Sequence, residues 1–96
     1  MNSRVYILLS PSKNKYYIGY TNTSSLERLR KHKEKNYVKA YTKSIDDWEL
    51  YFEILCNSEK QAINIERHIK RMKSRKYIEN LKKYPEITEK LLIKYF

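Results

Sequence analysis

The sequence predicts a small α/β domain in which a three-stranded antiparallel sheet is flanked by helices, in the order β-β-α-β-α-α. Two strand-like stretches enclose a polar turn near the start of the chain, and a later stretch alternates between apolar and polar residues. Two capping boxes, Ser24 with Glu27 and Ser58 with Gln61, each precede a run with the apolar spacing of a helix. The 96 residues suffice for one domain.

The first two strands are predicted to form a β-hairpin over Val5–Thr21. Gly19 is the only glycine of the chain, which indicates that the backbone there approaches another group closely or adopts a conformation that a Cβ forbids. If paired positions sum to an odd number, Tyr6 and Tyr17 share one face of the sheet with Gly19. An even sum would separate the two tyrosines. Packing is the ordinary role of strand tyrosines, and the chain has ten.

The charge of the chain indicates a polyanionic partner. Lys and Arg number 21 against 11 Asp and Glu, so the net charge is +10, which favours nucleic acid over an anionic membrane. No apolar run approaches the length of a membrane span, so we expect no membrane partner. The lone Cys56 excludes an intrachain disulfide and fits the reducing cytoplasm, where we expect the protein. One cysteine and two histidines speak against a zinc site.

The first helix is predicted over residues 26–35, with Leu26 and Leu29 facing the core. Arg28 and His32 are four residues apart, so they are neighbours on one stripe of this helix. Such a pair on a surface helix is either functional or simply solvated.

Residues 36–47 show no clean period, and we interpret them as a loop whose aromatic and basic side chains either contact nucleic acid or fill the core. The stretch 48–55 is the clearest strand, with a period of two. Its alternating apolar residues are expected to share the face that enters the core: Trp48, Leu50, Phe52 and Ile54. Glu49 and Glu53 lie on the other face, which we expect to point away from an anionic ligand.

The second helix is predicted over residues 59–73. Its buried stripe is predicted from apolar residues at spacings of three and four: Ala62, Ile65, Ile69 and Met72. Glu66 borders this stripe, where a carboxylate is costly without a cationic partner. That partner is either a basic side chain, such as Arg67, Lys70 or a residue of the first helix, or a divalent metal ion.

A short third helix or turn is predicted over residues 74–81. After a proline break, Thr88 is expected to cap a last amphipathic segment over residues 89–96. We therefore divide the chain into a domain of residues 1–82 and a helical tail of residues 83–96. The tail either folds back on the domain or provides an assembly surface.

Four motifs, in chain order, resemble those of the GIY-YIG nucleases, in particular their small stand-alone bacterial members. Val5-Tyr6-Ile7 resembles the first motif, with valine in place of the first glycine of the family name, and Tyr17-Ile18-Gly19 resembles the second. The Arg28-x-x-x-His32 spacing resembles the motif on the following helix. Glu66, with basic residues behind it, resembles the acidic motif. The resemblance covers about residues 4–81.

The resemblance implies a hydrolase of DNA phosphodiester bonds that needs a divalent cation, Mg²⁺ or Mn²⁺. Glu66 would be the metal ligand, and Arg28 would stabilise the charge that develops on the phosphate. Tyr6 is the usual candidate for general base or proton relay, and His32 is a second candidate for the base because it titrates in a better range. Tyr17 would orient the water or the phosphate.

The resemblance also implies a substrate and its contacts. Seven residues are expected to bind substrate: Gly19, Arg30, Lys31, Lys70, Lys73, Arg75 and Asn80. The partner would be DNA, whether duplex, branched or single-stranded, with DNA repair as the setting and a monomer as the expected state. The resemblance also favours the odd hairpin register. Two other functions stay open: a non-catalytic module that binds nucleic acid through the same basic surface, and a protein-interaction domain.

Overall fold

The computed structural model describes residues 3–34 and 45–96, apart from the side chains of His32 and Glu34. The predicted loop at 36–47 lies largely outside these residues, as does the predicted end of the first helix. The elements are, in chain order, β1 Ser3–Ser10, β2 Lys15–Thr21, α1 Ser25–Glu34, β3 Glu49–Cys56, α2 Glu59–Met72, α3 Arg75–Lys83 and α4 Pro85–Lys94. The three strands form one antiparallel sheet in the order β2-β1-β3. The predicted fold class is confirmed.

The hairpin has the odd register that we expected. Tyr6 lies opposite Gly19, and Leu8 lies opposite Tyr17. Both tyrosine rings therefore belong to one face of the sheet, with their centroids 6.3 Å apart. Asn14 closes the turn in the left-handed region, at a φ of 54°, which asparagine tolerates better than most residues.

Both faces of the sheet are covered by apolar packing. The larger cluster joins β1 and β3 to the three later helices, and its buried members include Val5, Ile7, Ile54, Ala62, Ile65, Ile69, Ile78, Leu81 and Leu91. The smaller cluster lies on the opposite side and contains Tyr6, Leu8, Ile45 and Trp48, with Leu29 of α1 packed against it. The side chains of β1 thus alternate between two apolar environments.

Strand β3 does not keep the strict alternation that its sequence predicts. A β-bulge shifts the register, so that Phe52 lies opposite Ile7 while Leu50 lies opposite Leu8. The extra residue, Tyr51, moves Leu50 into the smaller cluster and leaves Phe52 packed against the larger one. The prediction that these two residues share one face was therefore wrong.

Two expected core residues are exposed. Leu26 is 65% exposed, because α1 turns Ser25, one residue earlier, and Leu29 towards the protein. Met72 is 45% exposed at the end of α2, where Lys73 adopts a left-handed conformation and turns the chain away. Gln61, which is 1% exposed, is buried on α2 with the three correctly predicted apolar residues.

The last helix begins earlier than predicted. Pro85 occupies its first turn, a position that suits proline because no intrahelical partner is lost there. The prediction of Thr88 as the cap was therefore wrong. Leu91 is 4% exposed in the larger cluster, and the backbone carbonyl of Leu92 accepts a hydrogen bond of 2.8 Å from the side chain of Gln61. Of the two alternatives for this segment, the structure has the one in which it folds back.

Candidate active site

The phenol ring of Tyr6 lies directly against the backbone of Gly19. A Cβ atom at position 19 would be 2.6 Å from the Tyr6 hydroxyl oxygen and 2.7 Å from Cζ. Gly19 does not have a positive φ, so the glycine is needed for the close approach of the ring rather than for an unusual backbone conformation. The Tyr6 side chain is fully buried in this position.

Arg28 reaches the same phenol from α1. Its guanidinium carbon lies 6.0 Å from the centroid of the Tyr6 ring, and its side chain donates a hydrogen bond to the Tyr6 hydroxyl. Burial raises the pKa of Tyr6 above its usual value, although the hydrogen bond and the positive charge of Arg28 act in the opposite direction. The phenol is therefore neutral at physiological pH.

Glu66 approaches from the middle of α2. Its negative charge raises the pKa of Tyr6 and is the smallest of the four effects on that pKa. The Glu66 side chain is 15% exposed, and one of its oxygens lies 3.7 Å from the ammonium of Lys70, one helical turn later. Arg28 on α1 thus contacts Tyr6 on β1, and Glu66 on α2 acts electrostatically on the same phenol.

Residues 2–82 match the sequence profile of a family described as the GIY-YIG catalytic domain. The chain belongs to the GIY-YIG nuclease family. No curated protein and no solved structure matches it significantly. The family assignment therefore rests on the profile match and fits the three-stranded sheet with flanking helices.

Tyr17 and His32 are the two remaining candidate catalytic residues. Tyr17 lies beside Tyr6, and its ring also packs edge-on against Trp48, with 6.3 Å between the centroids. Tyr17 thus borders the site and belongs to the packing of the smaller cluster as well. The backbone of His32 lies in α1, one turn after Arg28, but its side chain is outside the described residues.

Two cavities flank this site, near opposite ends of β2. The first, of about 370 Å³, is lined by three of the residues expected to bind substrate: Lys70, Lys73 and Arg75. The second, of about 420 Å³, is lined by Arg28 and Lys31. Because Glu66 lies midway along α2, it is located between the two cavities.

Arg30, Asn80 and Gly19, which were also expected to bind substrate, are not among the residues that line the two cavities. Arg30 is paired with Glu27 on the exposed side of α1 at 2.5 Å. Asn80 is half-buried in α3, where its backbone carbonyl accepts a hydrogen bond of 2.8 Å from Tyr84, and it is not among the residues that line either cavity. Gly19 lies buried beneath Tyr6, so its contribution is to the position of the ring.

Arg75 is held by the hairpin turn. Its guanidinium donates hydrogen bonds of 2.7 and 2.5 Å to the backbone carbonyl and side-chain oxygen of Asn14. The same guanidinium lies over the ring of Tyr16, 4.9 Å from the centroid. The start of α3 is thereby fixed to the tip of the hairpin, and Arg75 is a preorganised planar cation at the first cavity.

Sequence reasoning missed Lys15 in the first cavity and Glu59 in the second. Glu59 accepts a hydrogen bond of 3.0 Å from Asn22, which in turn accepts one of 2.6 Å from Ser3. The spacing could have indicated Glu59, because it precedes Glu66 by two helical turns and so lies on the same side of α2. Lys15 offered no comparable signal, since its position depends on how α2 and α3 pack beside β2.

Proposed function

We propose that this GIY-YIG protein is a divalent-metal-dependent endonuclease that hydrolyses phosphodiester bonds in DNA. The observation that carries the proposal is that Arg28 and Glu66 both act on the phenol of Tyr6, which lies against Gly19. Tyr6, Arg28 and Glu66 come from three different elements. A structural role for any one of them would not require the other two.

Glu66 is the carboxylate that we assign to a Mg²⁺ or Mn²⁺ ion. Within residues 3–34 and 45–96, no group of three or more His, Cys, Asp or Glu side chains could hold a metal. Mg²⁺ does not need such a group, because it keeps several waters and is commonly held by one or two carboxylates and the substrate phosphate. A cation bound there would polarise the phosphate and stabilise the leaving oxygen.

Arg28 supplies the contact to the phosphate. It lines the second cavity together with Lys31, so a phosphate in that cavity meets a guanidinium and an ammonium. The planar guanidinium can donate two parallel hydrogen bonds to phosphate oxygens. Its charge would stabilise the non-bridging oxygens, which become more negative during the reaction.

We assign Tyr6 to holding Arg28 and relaying a proton, rather than to being the base itself. Its phenol is fully buried and its pKa is raised, and both features keep it protonated. The proton of the attacking water then passes to His32, which follows Arg28 by one helical turn, because imidazole is the general base that enzymes use most often. A His32→Gln variant that loses cleavage at an unchanged folded fraction, while it keeps its affinity for DNA, would support this assignment.

The non-catalytic binding module is the second candidate, and one contact favours it. The 3.7 Å pairing of Glu66 with Lys70 would by itself satisfy a half-buried carboxylate. In that case no metal would be needed, and the net charge of +10 would still provide affinity for DNA.

Cleavage and binding assays separate the two candidates. The protein is incubated with supercoiled plasmid, linear duplex and single-stranded DNA in the presence of Mg²⁺, with EDTA as the control, and binding to the same DNA is followed by fluorescence anisotropy. We expect cleavage that EDTA stops while binding persists. Binding without cleavage under every Mg²⁺ and Mn²⁺ condition would instead identify a binding module.

A further inference from the structure

The first cavity combines an apolar floor with a cationic rim. Ile18 of β2, Ile69 of α2 and Ile78 of α3 form the floor, and the latter two are nearly fully buried. The ring of Tyr16 forms part of the wall, covered by the fixed guanidinium of Arg75. We call this space the apolar-floored cavity.

The rim of the apolar-floored cavity is basic. Lys15, Lys70, Lys73 and Arg75 all line it, and none of the described lining residues is acidic. A ligand that fills the cavity must therefore pair an apolar part with negative charge. Phosphate alone would satisfy the lysines but would leave the isoleucine floor without a partner.

This cavity is next to the candidate catalytic centre. Lys70 lines it and lies 3.7 Å from a carboxylate oxygen of Glu66. Ile18, in the floor, immediately precedes Gly19, on which the Tyr6 ring lies. A group held in the cavity would therefore lie close to a phosphate bound at Glu66 and Arg28.

The second cavity has a different chemistry. Threonine, asparagine and charged side chains line it, among them Thr21, Asn22 and Glu59. Among the described residues that line it, Tyr20 is the one aromatic residue and none is aliphatic. An apolar, planar group is therefore accommodated on only one side of the cleaved phosphate.

We propose that the apolar-floored cavity receives the unpaired base of a nucleotide next to the cleaved phosphate, so that the substrate is single-stranded or locally unpaired DNA. This inference rests on the proposed nuclease function. In a duplex the bases are stacked within the helix and cannot reach the isoleucine floor without being extruded. An unpaired base can occupy the floor and stack on the Arg75 plane while its phosphates contact the lysines.

An abasic scan tests the inference without altering the protein. Single-stranded oligonucleotides carry one abasic nucleotide, which is moved stepwise past the mapped cleavage position. We expect one position beside the cleaved bond to lower cleavage and affinity about tenfold, in line with the usual effect of one stacked base, and the others to change them little. Equal effects at every position, or none, would overturn the inference.

A variant of the floor gives a second test. Ile18→Phe fills the cavity without changing any charge, and Leu55→Phe is the matched control because Leu55 is exposed and lies outside the cavity. We expect Ile18→Phe to lose its preference for single-stranded over duplex DNA. Leu55→Phe should keep the wild-type preference. If Ile18→Phe fails to fold, as thermal melts would reveal, the abasic scan on the wild-type protein decides.

The two proposals fail in different ways. Cleavage of duplex and single strand at equal rates, with no abasic effect, would leave the nuclease function standing and refute the base-binding cavity. An abasic effect on binding in EDTA, without cleavage under any metal condition, would leave the cavity standing and refute the nuclease. Absence of any preference for single-stranded oligonucleotides would also refute the inference that the apolar-floored cavity binds an unpaired base.

Discussion

Replacing Gly19 by alanine tests the close approach on which the site depends. The added Cβ would lie 2.6 Å from the Tyr6 hydroxyl oxygen, whereas ordinary contacts begin at 3.4 Å, so the ring has to move by about 0.8 Å. Tyr6 is fully buried and cannot swing into solvent. A misplacement of about 1 Å in a catalytic arrangement can cost roughly a hundredfold in rate, and we expect a loss of that order in DNA cleavage.

The same substitution should destabilise the fold only moderately. Overpacking a core lowers the free energy of unfolding by about 1–3 kcal/mol. Replacing glycine by alanine within a strand raises it by about 0.5–1 kcal/mol. A net loss of about 1 kcal/mol corresponds to a fall in Tm of roughly 4–8 °C for a domain of this size. Plasmid nicking in Mg²⁺ at equal folded fraction separates the effect on rate from the effect on folding.

A double-mutant cycle identifies the responsible contact. In a Tyr6→Leu background the phenol is gone, so Gly19→Ala should cost no stability there. The coupling between the two positions should therefore equal the overpacking cost of about 1–3 kcal/mol, measured by chemical denaturation. Wild-type nicking and an unchanged Tm in Gly19→Ala would refute the reasoning, because the ring would then not need the missing Cβ.

Three further predictions concern pH and salt. Ser10 and Ser12 donate hydrogen bonds to Asp47 and lower its pKa from 3.8 to about 2, so this stabilisation is complete above about pH 4 and is lost as the pH falls towards about 2. Asp47→Asn should therefore lower Tm at neutral pH, and a difference from wild type that persists undiminished at about pH 2 would contradict this. Burial and nearby cations lower the pKa of His68 below 6.5, so protonation of His68 should destabilise the fold as the pH drops below about 6.5. His68→Asn should remove this part of the pH dependence of Tm. An unchanged pH profile of Tm in the variant would contradict this prediction. DNA affinity should fall with salt, with a log–log slope of roughly 0.9 per duplex phosphate contacted, and a flat salt dependence in anisotropy titrations would rule out binding driven by phosphate contacts.

The sequence predicted the elements well because their signals are local. The side chain of Ser24 accepts a hydrogen bond from the backbone of Glu27, and that of Ser58 accepts one from Gln61, as the two capping boxes predict. The single glycine also indicated the right place, and the structure identifies Tyr6 as the group that approaches it. These features depend on residues within one helical turn or one hairpin.

The features that the sequence did not determine depend on packing between distant elements. Because both faces of the sheet are buried, no hydrophobic alternation distinguishes odd from even hairpin register. The bulge at Tyr51 has no glycine to mark it, so strict alternation was the natural expectation for β3. The position of Glu66 beside Tyr6 requires α2 to pack alongside β2, which no local pattern in the sequence encodes.

The sequence predicted that the C-terminal segment is helical, but it did not predict the residue at which the helix begins. Pro85 was interpreted as a break between helices, whereas it also starts the next one. None of the helices in the described part of the chain has the length and the apolar character of a membrane span.

Glu66→Gln tests the central claim most directly. Glutamine keeps the shape of the side chain but cannot replace the charge of a single-carboxylate Mg²⁺ site. The lost pairing with Lys70, an exposed group one turn away, should cost no more than about 0.5 kcal/mol. Glu89→Gln, at an exposed position on α4, is the matched control for loss of one negative charge.

The measurement is Mg²⁺-dependent nicking of DNA by wild type, Glu66→Gln and Glu89→Gln at equal folded fraction, with anisotropy titrations on the same DNA. We predict that Glu66→Gln loses cleavage, keeps its Tm within a few degrees of wild type and binds DNA at least as tightly, because one repulsive charge is gone. Glu89→Gln should cleave like wild type. Full cleavage by Glu66→Gln would contradict the account, since the carboxylate would then serve only its pairing with Lys70.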